Sequence, residues 1–327
     1  MDGERVSLSS EAVARYQKRI FGLAYRMTGT VSDAEDVVHD TWVRFMSHPP
    51  ARGGELDDVG PWLVTVATNV ARDRLRRRRR ERYLGPWLPS PVDTSRLDVE
   101  PVSPDGSGEA RYTLLESVSY AFLVALEVLT PTQRAVLLLR DVLDQPERAV
   151  SEALGLSREA VAVHLHRARK KMARHDRARQ GASPEASRGA VIAFVSALAR
   201  GDLEEVKSLL AEDVVSLSDG GGEVSASVVP LVGRDRVAQA WVSITRFAPA
   251  VDAAELRELS GAPFVVASRG ATGREARLVA LTCRVDSEGK IAAIYAVLAP
   301  KKLVGIVESP EHPVDARHGH GRGHGRG

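Results

Sequence analysis

One cysteine, Cys283, stands in 327 residues. An intramolecular disulfide is therefore excluded, and so is a cysteine-based metal cluster. Aromatic residues are scarce at 5%. No apolar run approaches the roughly 20 residues of a membrane span; stretches such as Tyr120–Leu129 are among the longest. No basic segment followed by an apolar one opens the chain, so secretion is not signalled and a soluble cytoplasmic protein is expected. Charge of one sign is lacking too, with a formal net of +2. Histidine is missing between His175 and His312, which excludes a His base from that stretch. What remains, 43% hydrophobic and 27% charged residues, is globular composition, and the length suits two or three domains.

The small net charge conceals segregation. Eight arginines lie between Arg72 and Arg82 against Asp73 and Glu81, and eight Lys/Arg lie between Arg158 and Arg179 against Glu159 and Asp176. Each island has a local excess of +6, which leaves the rest of the chain at −10. One such run is as readily a solvated helix face. Two, each attached to an apolar-periodic segment, point to a polyanion such as nucleic acid.

The periodicity divides the chain. Residues 1–83 read as helices: Tyr16, Ile20, Leu23, Ala24 and Met27 form one apolar stripe. Ser32 with Glu35 three positions on reads as a capping box, and the next helix turns Val37, Val38, Thr41, Trp42 and Phe45 inward. A Gly-rich loop, Ala51–Gly60, precedes Pro61 and a helix from Trp62 to about Tyr83. Residues 84–110 hold Pro86, Pro89, Pro91, Pro101 and Pro104 with Gly85, Gly106 and Gly108; this is a linker. Its first part, Trp87-Leu88-Pro89, is apolar enough to dock on something. Residues 111–180 are helical again, over Tyr112–Leu129, Thr130–Val142, Pro146–Leu154 and Ser157–His175. A weaker linker lies at Gln180–Pro184. Residues 184–305 read as α+β: helices Glu185–Arg200, Asp202–Leu210 and Arg234–Phe247, and strands Val214–Ser218, Glu255–Leu259, Phe264–Ser268, Arg277–Val285 and Ile291–Leu298 in a twisted antiparallel sheet, with a hairpin turn at Asp286–Gly289. Residues 306–327 are a low-complexity tail expected to be disordered.

The most specific local signal is Pro146–Lys171. Leu154-Gly155-Leu156-Ser157 makes a turn between two short helices. The second turns Val161 and Leu165 inward and Arg158, His164, His166, Arg167, Arg169, Lys170 and Lys171 outward. That is helix-turn-helix geometry, with a helix narrow enough for the major groove; a basic surface hairpin is the blander reading.

These motifs, taken in order, resemble a known family. Asp33-Ala34-Glu35-Asp36, Val37-Val38 and Trp42, then Trp62-Leu63, Asn69 and the arginines, resemble region 2 of bacterial extracytoplasmic-function (ECF) sigma factors. Leu129-Thr130-Pro131, Arg134, Leu137–Arg140 and the helix-turn-helix ending His166-Arg167-Ala168-Arg169-Lys170 are similar to region 4. Gly85-Pro86-Trp87-Leu88-Pro89-Ser90-Pro91 resembles the linker of a subgroup with a fused SnoaL-like (NTF2-like) domain, a cone-shaped sheet; the subgroup usually has an acid where Ser90 stands. Asp219-Gly220-Gly221-Gly222-Glu223 and Ala299-Pro300-Lys301-Lys302-Leu303 resemble two further signatures of that domain.

The resemblance implies two all-α sigma domains plus an α+β domain, and a transcription initiation factor rather than an enzyme, with no cofactor. It implies that Asp33, Glu35, Asp36, Asp40 and Trp42 meet the β′ clamp helices of RNA polymerase, with the β flap as a further contact. The same acids also complement a helix dipole. Trp62, Asn69, Arg72, Arg76 and Arg80 are implied at the −10 element, where stacking and phosphate neutralisation capture a single strand; Trp62 fits a core position equally well. Arg158, Val163, His166, Arg167 and Lys170 are implied at the −35 element. Trp87, Leu88, Pro89, Asp219, Gly220, Gly221, Gly222 and Lys302 are implied in regulation by the fused domain, with a small molecule as its candidate ligand.

Two other classes stay open from residues alone: a DNA-targeted isomerase or cyclase and a ligand-responsive repressor. Asp213, Asp219, Glu223, Asp235 and Asp252 are the candidate carboxylates for catalysis, since a buried one acquires a raised pKa. Asp219, beside three glycines, reads rather as a turn or close-approach residue. His318, His320 and His324 read as incidental low complexity rather than a metal site.

Overall fold

The computed structural model describes residues 10–48, 59–81, 83–93, 110–179 and 184–307. The loop 51–58, the linker beyond 93, most of the weaker linker and the histidine-bearing tail lie outside the described residues.

Helix α1 (Ser10–Thr28), α2 (Val31–Ser47) and α3 (Val59–Arg78) pack as a bundle, the expected apolar stripe of α1 buried at Tyr16, Ile20, Leu23, Ala24 and Met27. The cap of α2 differs from expectation. Gly29, at φ +78, turns the chain out of α1, so Thr30 becomes the extended residue and its hydroxyl accepts the Asp33 N–H at 3.2 Å. Ser32 lies inside the first turn and is not the cap.

The segment expected as one helix over Tyr112–Leu129 is broken. A 3-10 turn at Glu116–Val118 precedes α4 (Tyr120–Leu126), and Ser119, with ψ 142, caps α4 by accepting from Phe122 N–H. Then α5 (Pro131–Leu137), opened by a Thr130/Gln133 capping box, passes into a π-helical turn at Leu138–Val142. The helix-turn-helix follows as read: α6 (Glu147–Leu154), Gly155 left-handed at φ +64, and α7 (Arg158–Arg179), with Ser157 Oγ accepting from Ala160 N–H. Because α3 lies on both α5 and α6, one apolar cluster runs through the two helical modules, from Tyr16 and Leu63 to Leu137 and Met172.

In the α+β part, α8 (Pro184–Arg200), α9 (Leu203–Leu209) and α10 (Arg234–Phe247) accompany six strands: β1 (Leu210–Asp219), β2 (Leu231–Val232), β3 (Val251–Leu259), β4 (Ala262–Arg269), β5 (Leu278–Val285) and β6 (Ile291–Val297). Their order is β2-β1-β6-β5-β4-β3. The sheet is mixed rather than antiparallel: the meander from β3 ends with β6 running parallel to β1, and the other pairs are antiparallel.

Alternation along β6 feeds two cores. Ile294 and Ala296 face the helices with Phe194 and Trp241; Tyr295 and Val297 face the other side with Phe264, Val266 and Ala280. The C-terminal helix α11 (Pro300–Val307) adds Leu303 and Ile306 to that second face. Leu88 of the linker and Tyr120 of α4 complete it. A sheet that would otherwise show one apolar face to water is thus closed by the helical modules.

Candidate functional site

Asp219 ends β1 and is fully buried. Its Oδ2 accepts the Leu88 N–H at 2.7 Å and the Lys302 ammonium at 2.6 Å; its Oδ1 accepts the Tyr83 hydroxyl at 2.5 Å and the Gly221 N–H at 3.0 Å. The glycines are needed for this approach. Gly221 and Gly222 lie at φ +63 and +74, and a Cβ on Gly220 would stand 2.5 Å from the Val224 carbonyl oxygen. Lys302 also donates to the Leu88 carbonyl at 2.6 Å. Burial lowers its pKa from 10.5 to about 8 even though Asp219 pulls it up. Burial, then the hydrogen bond to Asp219, pushes the Tyr83 hydroxyl well up.

Trp87 sits between the modules. The Lys302 ammonium lies 3.9 Å from its ring centroid and the Arg78 guanidinium 3.8 Å. A Cβ on Gly29 would come within 2.4 Å of the same ring. Further on, Ser90 N–H donates to Gly29 O and the Ser90 carbonyl accepts from Tyr25. Val92 pairs with Ser260, whose N–H donates to Val92 O and whose Oγ accepts from Val92 N–H. Linker residues 83–92 therefore run as a strap between the α1–α2 turn and the sheet. Lys302, Asp219 and the Trp87-Leu88-Pro89 segment, read separately from sequence, meet here.

The helical modules clasp each other directly. Asn69 Nδ2 donates to Ala153 O at 2.8 Å, and Arg72 donates to Leu154 O at 3.2 Å. Two expected DNA contacts of the first module are thus bonded to the end of α6. Trp62 is half-buried, packed on Phe45 at 5.9 Å, and so holds the core position that its residue type equally allowed. Arg76 pairs with Asp73, and Arg80 is exposed.

Arg74 gathers the acids of α2, with contacts of 3.8 Å to Asp33, 2.8 Å to Asp36 and 3.1 Å to Asp40. Glu35 and Trp42 border a groove of about 580 Å³ between α1 and α2, with Phe21, Val38 and His39; the Trp42 indole N–H has no hydrogen-bond partner among the described residues.

On α7 the exposed face is Arg158, Glu159, Ala162, Val163, His166, Arg167, Lys170 and Lys171. Arg169, expected outward, is only partly so, its side chain 41% exposed. It binds Asp141, 1% exposed, through two hydrogen bonds of 2.6 and 2.9 Å. His164 is half-buried, and burial with Arg167 lowers its pKa.

Among the candidate carboxylates for catalysis, Asp213, Glu223, Asp235 and Asp252 are exposed, and Asp219 is committed to the strap. Sequence reasoning missed Arg74, Arg78, Tyr83, Tyr120 and Ser260. The last had a signal: Ser260-Gly261 between two strand patterns is a two-residue hairpin turn, and both residues have positive φ.

Two helical modules, the second a helix-turn-helix, clasped around an apolar strap, define a modular DNA-binding protein. The family model for Sigma-70 region 2 matches residues 12–81 and that for Sigma-70, region 4 matches 119–172. The ECF RNA polymerase sigma factor SigJ of Mycobacterium tuberculosis is 32% identical over 295 residues, 88% of this chain and 91% of the relative. The probable ECF RNA polymerase sigma factor SigI of the same species is 30% identical over 235 residues, 70% and 74%. The crystal structure of Mycobacterium tuberculosis SigJ superposes with a TM-score of 0.66 at 30% identity, over 90% of this chain and 98% of that one. The chain belongs to the ECF RNA polymerase sigma factors. It directs RNA polymerase to promoters, and the family is not enzymatic. Among the described residues, no helix is long and apolar enough to cross a membrane.

Proposed function

We propose that the fused α+β domain regulates this sigma factor in cis by holding it closed, and so restrains reading of the −10 element. The observation that carries this is the capping of Asn69 and Arg72 by the carbonyls of Ala153 and Leu154, in a molecule whose strap buries Leu88 against the fused sheet. Opening frees Asn69 and Arg72 to join Trp62 and the already exposed Arg76 and Arg80 at the −10 strand. Arg158, Val163, His166, Arg167 and Lys170 then reach the −35 element. Asp33, Glu35, Asp36, Asp40 and Trp42 meet the β′ clamp helices beside the α1–α2 groove, and the β flap is the second polymerase contact. Work of this kind belongs in the bacterial cytoplasm, at the nucleoid. For a small-molecule ligand we assign the cavity of about 380 Å³ between Arg77, Trp87 and Lys301, since Phe194 and Trp241 pack the helix side of the sheet.

The test is promoter-dependent transcription with core polymerase on a genomic fragment library. Asp219→Asn removes one partner of a buried pair, a change that costs about 3–5 kcal/mol. Gly29→Ala attacks the same strap from the opposite side by displacing Trp87. Both are expected to raise output at the same start sites. Unchanged or lower output from both, with both proteins folded, sinks regulation by closure.

A further inference from the structure

The two basic islands, some eighty residues apart in sequence, are brought together by closure. Arg79, just beyond α3, donates to Leu129 O. Lys171, on α7, donates to Val128 O and Gln133 Oε1, each at 3.1 Å. Two cations from different modules thus bind adjacent carbonyls of the α4–α5 turn. That turn is at the surface, with Val128 55% exposed. One helical turn back on each element stand Arg76 and Arg167, and beside them Arg80 and Lys170, all exposed. Of the acids nearby, Glu127 is answered by Arg78 and Arg134 and Asp73 by Arg76, while Glu81 beside Arg80 is exposed. Arg134 adds to burial in lowering the Arg79 pKa, as expected where like charges are crowded.

We propose that the closed chain binds double-stranded DNA without regard to sequence, through the phosphate backbone, on this joint face of Arg76, Arg79, Arg80, Arg167, Lys170 and Lys171. The face needs neither Asn69 nor Arg72, which are capped in the closed form. It exists only while α3 and α7 meet at the α4–α5 turn. A closed sigma factor is thereby kept on DNA while it cannot read the −10 element. The proposal rests on the closed arrangement, not on the sign of its effect on transcription.

The experiment uses the full chain without polymerase and a random-sequence duplex of 12 base pairs labelled for fluorescence anisotropy, with stoichiometry from native mass spectrometry. One duplex per chain is expected, with affinity falling steeply with salt. Arg80→Gln and Lys170→Gln, both exposed, are each expected to reduce the slope of log affinity against log salt by about 1 on that duplex. Tyr120→Ala, which undocks α4 from the sheet and so loosens the α4–α5 turn that joins the two islands, is expected to weaken binding at least tenfold. Two duplexes per chain would mean two separate islands and overturn the joint face. So would a slope indifferent to either charge variant, or full affinity in Tyr120→Ala. An RNA hairpin of equal length binding in place of the duplex would overturn the assignment to DNA. Transcription output does not enter, so this result stands apart from that of Asp219→Asn.

Discussion

At the scale of the residue, Lys302 has the most legible physics. It is buried against Asp219, Leu88 O and the Trp87 ring, and burial holds its pKa at about 8 against the ordinary 10.5. A base whose pKa falls on burial costs stability while it is charged. That cost is fully present below about pH 8 and is relieved as pH rises from there towards 10.5, where the unfolded chain still holds the proton and the folded one does not. The folded chain is therefore expected to gain stability relative to Lys302→Met between about pH 8 and 10.5. Paired thermal melts check this, and parallel curves would show that Lys302 does not titrate there. Sequence offered Asp219 and Lys302 as members of two motifs 83 residues apart; that they share one oxygen with the Leu88 N–H is a product of topology. Arg74 was hidden for a related reason. Inside a run of eight arginines, nothing local marks the one that faces three carboxylates across a helix pair.

At the scale of the element, the patterns with a strong period were readable and the joints were not. The stripe of α1, the helix-turn-helix and α10 follow the expected spans, because each rests on local geometry alone. The break at Ser119 is set by a partner: Tyr120 N–H donates to Ser260 O, and the ring stands edge-on to Phe264 at 4.9 Å. A continuous helix would not present that N–H to the β3–β4 turn. Likewise, parallel pairing of β1 with β6 depends on a return across the whole sheet that strand patterns do not encode. Helix α4 is thus the docking element of the second module. Truncating a buried large aromatic costs about 3–5 kcal/mol. Tyr120→Ala is accordingly expected to enlarge the radius of gyration measured by small-angle X-ray scattering while helix content is retained; an unchanged radius would show that α4 is not what holds the modules together.

At the scale of the whole molecule, three parts share two buried surfaces. The helical modules have one apolar cluster between them, and the outer sheet face is closed by Leu88 and Tyr120. Cut free at residue 184, the α+β domain would expose Phe264, Val266, Tyr295 and Val297 as one patch. Soluble monomers rarely carry a large contiguous apolar patch. The isolated domain is expected to self-associate in light scattering at micromolar concentration; a clean monomer would show that this face is covered in some other way. The family could be recognised from sequence because its motifs are local. The closed arrangement could not, since it is written in contacts such as Asn69 with Ala153 that cross 84 residues.

The order of synthesis gives the strap a history. Trp87 leaves the ribosome some 215 residues ahead of Lys302. At 5–20 residues per second that is a delay of roughly ten to forty seconds. Throughout it, the nascent chain has its first helical module complete but no ammonium for Trp87 to rest on, and for much of it no Asp219. Every newly made molecule therefore begins life unlatched, and closure arrives only with α11.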